Sequence, residues 1–389
     1  MDRPGLKYSA RLVKSGLCEA GAPLFGIMED GITWSGRIQE EHILEEVLNT
    51  LNFGSILFSP TAEPFRSITE LLAGEAQPSG SIVPDDTETR TFLHEIPVIS
   101  AFTPGEIITA LKRRKGAIIP GRGIITAGPV TPEQAFVTFS SICFSCYVKF
   151  FSDYYYYTRG VKKLPDSAEK IAPQALKAYR SALKNISDFP SAKGPFTSDE
   201  AVYAAIVEAG RLTVSSGMVD SFFGNVSALF NDCIYITQTA ASLDELEGCI
   251  DCCPLDNSST CAITSSSEYS AHRALYNLTH RRTVLHGHPR FSVIMSLLCD
   301  RHECANRGRC HTACTAKRFI NDIPVVPGEI GTGPLGLVRT MPAAMMGRGV
   351  IVHGHGLFTA GACDFTDAFT SLVDIERMCF EEYCRLVQF

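Results

Sequence analysis

Gly354-His355-Gly356-Leu357-Phe358-Thr359-Ala360-Gly361 decides the reading of this chain, because it occurs a second time in altered form. The counterpart, Gly121-Arg122-Gly123-Ile124-Ile125-Thr126-Ala127-Gly128, lies 233 residues earlier, and Ala135-Phe136 matches Ala368-Phe369 at the same offset. A register that holds from an apolar strand through a turn into a helix marks a repeated structural unit. Phe92 to Ile99 likewise resembles Phe319 to Val326 in its alternation and in the shared proline, Pro97 and Pro324. Two related α/β units are expected. They are unequal: Arg122 stands opposite His355, and setting Ile68 to Leu72 against Ile294 to Leu298 leaves no histidine opposite His286 or His288.

The 389 residues allow more than one core, and 45% hydrophobic with 20% charged residues supports a folded chain. A net charge of -7 and a pI near 5.8 leave no basic surplus for a nucleic acid backbone or an anionic lipid surface, so neither partner is expected. Fifteen cysteines follow an N-terminus, Met1 to Gly5, without an apolar leader, so reduced thiols and a cytoplasmic location are expected. The longest membrane candidate, Ala135 to Phe151, is interrupted by Thr138, Ser140, Ser141, Ser145 and Lys149, whereas a span needs roughly 20 apolar residues. It reads as a buried helix.

Periodicity predicts a helix over Ser167 to Asn185, a break at Ser191 to Pro195, and a capped helix from Asp199 to Ser215. Strands are predicted over Ser221 to Phe230 and Cys233 to Thr237 with a hairpin at Asn231-Asp232, then a helix from Glu268 to Thr279. Further strands are expected at Thr283 to His288, Ile323 to Pro327 and Gly349 to His353, and a closing helix at Thr366 to Val387. Strands and helices alternate in a way that fits an α/β layered domain.

The chemistry concentrates in the second half, which holds eight of the ten histidines. In His286-Gly287-His288-Pro289 the two imidazoles are two residues apart at the end of an extended run, so they face one side of it. His353-Gly354-His355-Gly356 ends a second apolar strand and can supply a third nitrogen, giving the three-ligand open site of a catalytic zinc. Either pair alone also suits hydrogen-bonded surface groups; together they point to a metal. Ser265-Ser266-Ser267-Glu268 opens a helix that carries His272, either as an anion-holding N-terminus or as an ordinary cap. Gly224-Asn225-Val226-Ser227 and Thr237-Gln238-Thr239 offer a close backbone approach and polar groups, or simply a turn.

Taken in order, Gly-Asn-Val-Ser, Ile-Thr-x-Thr, Ser-Ser-Glu-x-x-x-His, His-x-His-Pro and His-Gly before a terminal helix resemble the class II aldolase/adducin family over about residues 199 to 388. The resemblance implies an α/β layered fold with a central, mostly antiparallel sheet flanked by helices, duplicated in tandem. Residues 1–160 would be a degenerate, truncated repeat without metal ligands, 161–197 a helical linker and 198–389 the catalytic domain. Gly116 to Phe151 carries the likeness of the first repeat to the fold's later portion. The resemblance further implies Zn2+ or another divalent metal on His286, His288 and His355, Glu268 as catalytic acid/base, and a phosphate cradle of Gly224, Asn225, Thr239, Ser266 and Ser267. One departure is Thr239-Ala240, where the family has Thr-Gly.

The activity implied by the resemblance is that of a metal-dependent aldolase, a lyase that cleaves a small phosphorylated sugar through a zinc-stabilised enediolate. Epimerisation, dehydration or decarboxylation of the same substrate class is the alternative, as is an adducin-like interaction module without catalysis. A homo-oligomer is expected, a dimer of tandem chains in which Tyr154 to Tyr157 lend a hydroxyl or merely pack. Cys299, Cys304, Cys310 and Cys314, with His302 and His311, form either a second metal site or a group of ordinary thiols, and Cys249, Cys252, Cys253 and Cys261 read as buried thiols.

Overall fold

The computed structural model describes residues 4–37, 39–76, 79–220, 222–301, 303–328 and 333–389. The chain divides into two compact units, Met1–Ala178 and Tyr179–Phe389, with the division inside the helix Ala168–Lys184.

Strands of the first unit are β1 (Leu24–Met28), β2 (Ile32–Trp34), β3 (Ser55–Ser59), β4 (Ser81–Ile82), β5 (Ile96–Pro97), β6 (Gly116–Ile119) and β7 (Gly123–Gly128). Five of them form an antiparallel sheet in the order β2-β1-β3-β7-β6, and β4 pairs with β5. The second unit contains β8 (Asn225–Phe230), β9 (Cys233–Thr237), β10 (Ile250–Pro254), β11 (Thr283–Gly287), β12 (Arg318–Ile320), β13 (Ile323–Val326), β14 (Gly349–Val352) and β15 (Gly356–Gly361). These form one sheet, β10-β9-β8-β11-β15-β14-β13-β12, antiparallel except where β13 meets β14.

The two sheets share a register. Gly116 pairs with Thr126 and Ile119 with Gly123, as Gly349 pairs with Thr359 and Val352 with Gly356, all at the 233-residue offset. Ser55 lies opposite Gly128 as Thr283 lies opposite Gly361, which sets β3 against β11 at an offset of 228. Phe58 and Pro60 therefore occupy the positions of His286 and His288. The central order β9-β8-β11-β15-β14 repeats β2-β1-β3-β7-β6, so the correspondence extends well past Gly116 to Phe151. The differences lie at the edges: β10 has no partner in the first unit, and β12 with β13 is reduced to the β4-β5 pair and a single parallel bridge from Val98 to Ile118.

Pattern and burial explain each element. The helix Pro132–Thr158 starts with Pro132 in its first turn and a capping box of Thr131 and Gln134, and its residues from Ala135 to Phe151 are almost all buried. It is long and apolar enough to cross a membrane by composition, yet 83% of its most apolar window is covered by the unit around it, as the apolar core of a layered fold requires. Tyr154 to Tyr157 lie in its last turns; Tyr155 is buried and the Tyr157 hydroxyl donates to Glu169 at 2.9 Å. At the equivalent place in the second unit the helix Phe365–Leu386 begins at Asp364, which accepts from the Thr366 N–H at 2.8 Å.

In the second unit Ser198 caps the helix Asp199–Ser215, and Asn231 and Asp232, both at positive φ, make the hairpin between β8 and β9. The predicted strand start at Ser221 lies outside the described residues; the strand itself begins at Asn225. Val284, Val350, Val352, Phe358 and Ala360 cover one sheet face against Leu275, Tyr276 and Met341. That core shares the sheet face of His286, which pairs with Phe358.

Candidate metal centre

His286 belongs to β11, where side chains alternate, and it shares the face of Val284 with Phe358 of β15. Its ring stacks on Phe358, with centroids 3.9 Å apart and planes 10° from parallel, and its Nδ1 lies 3.2 Å from the Leu357 carbonyl. A hydrogen on Nδ1, donated to that carbonyl, leaves the Nε2 lone pair facing inward. His288 follows the end of β11, and His355 sits in the turn between β14 and β15. In that turn Gly354 takes φ +63 and donates its N–H to the Ser296 hydroxyl at 2.8 Å. His355 rather than His353 joins the cluster.

The three Nε2 atoms converge. His286 lies 3.0 Å from His288 and 3.1 Å from His355. Two nitrogens bound tetrahedrally to zinc at about 2.0–2.1 Å stand roughly 3.3 Å apart, so the spacing is that of ligands around one small cation. Among the described residues this is the group that could hold a metal ion, and all three members are buried. Burial pushes His286 down to about 3 and His288 well below the usual histidine range, so both are neutral donors at pH 7.

Glu268 completes the centre. It precedes the helix Tyr269–Leu278 as its N-cap, is 7% exposed, and places Oε1 3.1 Å from His355 Nε2 and Oε2 3.5 Å from His286 Nε2. Asn225, the first residue of β8, donates from Nδ2 to Glu268 Oε2 at 2.6 Å. Burial works to raise this carboxyl, but His286, His355 and Asn225 outweigh it and hold the group below the usual carboxylate range. Asn225 Oδ1 is buried with no hydrogen-bond donor among the described residues, and Glu268 Oε1 faces only the His355 Nε2. A site with converging imidazole lone pairs and an unsatisfied oxygen fits a divalent cation and a hydroxylated ligand.

Residues 204–383 match the family described as Class II Aldolase and Adducin N-terminal domain. The second unit carries a class II aldolase/adducin domain. Among solved structures, the L-fuculose-1-phosphate aldolase of Thermus thermophilus aligns at 20% identity over 48% of this chain and 93% of its own, with a TM-score of 0.36. A sugar-phosphate aldolase from Thermotoga maritima aligns at 14% identity over 49% and 96%, TM-score 0.36. The N-terminal class II aldolase domain of a conserved protein from Thermoplasma acidophilum aligns at 14% over 50% and 99%, TM-score 0.33. Comparison with curated proteins finds no match.

Within the aldolase/adducin domain two glycines hold the centre by what they lack. A Cβ on Gly356 would stand 2.7 Å from His286 Cε1 and 2.8 Å from His288 Cδ2. Gly224, at φ +79, passes so close to the His286 carbonyl that a side chain would collide with it. The remaining residues expected to form a phosphate cradle are held by local bonds or face solvent. Thr239 donates its hydroxyl to the Ser265 carbonyl at 2.8 Å, the Ser266 hydroxyl accepts from the Glu268 N–H at 3.3 Å, and Ser267 is exposed. Ala240 adopts φ +59, so the left-handed geometry that glycine would supply is kept by alanine at a cost of roughly 1–2 kcal/mol.

Sequence reasoning named His272 and Ser227 without joining them, and it passed over Glu376. His272 points its Nδ1 at the Ser227 hydroxyl, 2.7 Å away, and that hydroxyl is also 2.7 Å from Tyr276; burial lowers this histidine to about 4. Glu376 of the terminal helix accepts from Phe291 N, Ser292 N, Ser292 Oγ and Tyr179 Oη at 2.6–2.8 Å. It thereby caps the helix Arg290–Leu297, which starts two residues after His288. A glutamate on the apolar face defined by Phe369, Leu372, Val373 and Phe380 was the signal.

The cysteines behave otherwise. All fifteen are free thiols, and among the described residues those of the insertion do not converge as a ligand set. Burial raises Cys310, and Cys314, Cys299 and Cys304 nearby add to it. His302, expected in that cluster, lies outside the described residues.

Proposed function

We propose that the second unit is a metal-dependent lyase of the aldolase type, acting on a small, phosphorylated sugar, with Zn2+ or another divalent ion on His286, His288 and His355. The observation that carries this reading is a buried carboxylate, Glu268, set 3.1–3.5 Å from two of three convergent imidazole nitrogens. A bound dication would supply Lewis-acid polarisation of a substrate carbonyl and its neighbouring hydroxyl. His286 and His288, kept neutral by burial, offer lone pairs instead of protons. Glu268 holds or moves the proton at Oε1, the oxygen that Asn225 leaves unbonded, while the Asn225 amide keeps Oε2 in place. Gly224, Asn225, Thr239, Ser266 and Ser267 are proposed to receive the phosphate, and a dimer of chains is the proposed assembly. Epimerase, dehydratase or decarboxylase chemistry on the same substrate class would use the same groups.

The test separates the metal from the proton. Glu268→Gln should lower turnover of phosphorylated ketoses by about 10²–10⁴-fold while bound metal stays constant. Full activity in that variant would remove Glu268 from the role. A chain that takes up no divalent ion would favour a binding module of the adducin kind over an enzyme.

A further inference from the structure

The first unit has an open cavity of about 630 Å³, and strand register says what it corresponds to. Phe58, Pro60 and Arg122 line it, and these occupy the positions of His286, His288 and His355. Glu40 precedes the helix Glu41–Leu51 as Glu268 precedes Tyr269–Leu278, at the same 228-residue offset as Ser55 and Thr283. Arg122 Nη2 meets Glu40 Oε1 at 2.9 Å, where the second unit has His355 Nε2 against Glu268 Oε1 at 3.1 Å. The acid survives in the first unit; the ligand set does not. With two of three imidazole positions filled by a benzyl ring and a proline, no metal can be held there.

A permanent positive charge has taken its place. Arg37 and Arg66 also line the cavity. Arg66 uses Nε to reach the Thr61 carbonyl at 2.9 Å, and its terminal nitrogens, like the whole Arg37 guanidinium, have no partner among the described residues. The opposing carboxylate on the wall, Glu70, accepts from the Gly121 N–H at 2.8 Å, and Glu40 is paired with Arg122. The Arg122 guanidinium lies over the Phe102 ring, with its central carbon 4.6 Å from the ring centroid. Planar, always-charged guanidinium groups match the oxygens of a phosphate, and the volume falls within the roughly 300–1,000 Å³ of small-molecule sites.

We propose that this cavity is a second ligand site, for a small phosphate-bearing anion, with Arg37, Arg66 and Arg122 as its cationic wall and Leu24, Phe58 and Pro60 as its apolar one. It binds without turning over, because Glu40 is neutralised by Arg122 and no metal position remains. The proposal stands apart from the lyase reading and survives its failure.

The test is calorimetric titration of the full-length chain with inorganic phosphate and with glycerol 3-phosphate, in the native background and in His286→Ala/His288→Ala, so that anions attracted to the second unit's centre are set aside. Binding should persist in the histidine variant. It should weaken by about tenfold or more in Arg66→Gln/Arg122→Gln, the size of one or two charge-assisted hydrogen bonds. Arg37→Gln removes no internal pair, so it should weaken binding without moving the melting temperature, which keeps the test open if the double variant misfolds. Tighter binding of the ester identifies a phosphorylated metabolite as the ligand, and equal affinities identify free phosphate. No uptake of either at millimolar concentration, or affinities unmoved by both sets of arginine changes, overturns the proposal.

Discussion

In the hairpin of β6 and β7 the residue after the left-handed Gly121 is an arginine, and in the hairpin of β14 and β15 the residue after the left-handed Gly354 is a histidine. Every backbone pairing around the two is the same. The scaffold therefore places a side chain without dictating its chemistry: one copy gathers three buried imidazoles, and the other lines a cavity with guanidinium groups. Retention of Glu40 opposite Glu268 shows that an acid at this helix start is compatible with either use, since a metal or an arginine can balance it.

The comparison breaks most sharply at the imidazoles. His286→Ala/His288→Ala should take bound divalent metal, measured by elemental analysis, from about one per chain to near zero and lower any lyase turnover by about three orders of magnitude. Metal remaining at full stoichiometry would mean that the ion sits elsewhere. Next in size is Gly356→Ala. The new methyl would press on the rings of His286 and His288, so metal affinity should fall by about 10–100-fold, read by competition with a chelating dye. Unchanged affinity would show that the hairpin yields more than its packing suggests.

A smaller effect distinguishes the units by pH. In metal-stripped protein His272, at about 4, and His286, at about 3, are depressed by burial below the 6.5 of an unfolded histidine. The unfolded chain binds protons first, so the stability these groups contribute is full above pH 6.5 and is lost as pH falls toward 3. In the first unit burial raises Asp86, the cap of Thr87–Leu93, from 3.8 to about 7. Its contribution has the opposite sign: full below 3.8 and lost as pH rises toward 7. Trp34, the one tryptophan, reports on the first unit by fluorescence, while circular dichroism tracks both. Urea midpoints from the two probes should move apart on acidification; parallel shifts would contradict the assignment. The smallest expected change is Ala240→Gly, which should stabilise by about 1 kcal/mol or less by relieving a positive φ, seen as a slight rise in melting temperature. A fall would mean that Ala240 packs better than its backbone suffers.

Much of this could be read from the chain. The helices at Asp199–Ser215 and Phe365–Leu386 and the strands bearing the histidines come from short-range pattern, which acts over a few residues, whereas the choice of His355 over His353 came from the family resemblance. The strand Ile250–Pro254 escaped because Asp251 and Pro254 spoil its alternation, and it exists by pairing with Cys233–Thr237. The roles of Glu376, Phe358 and Gly356 at the site were missed for a related reason: each acts on a histidine or its helix from about 70 to 90 positions away in the chain.

What the amino-acid order settled by itself was the repeat, the helices and strands that bear the histidines and the presence of several imidazoles at their ends, because periodicity and residue chemistry are local properties. Only the folded chain decided that Glu40 stands where Glu268 stands, that Phe58 and Pro60 occupy the ligand positions, and that three arginines share one cavity. Those facts depend on strand register, and register is set by pairing between segments far apart in sequence.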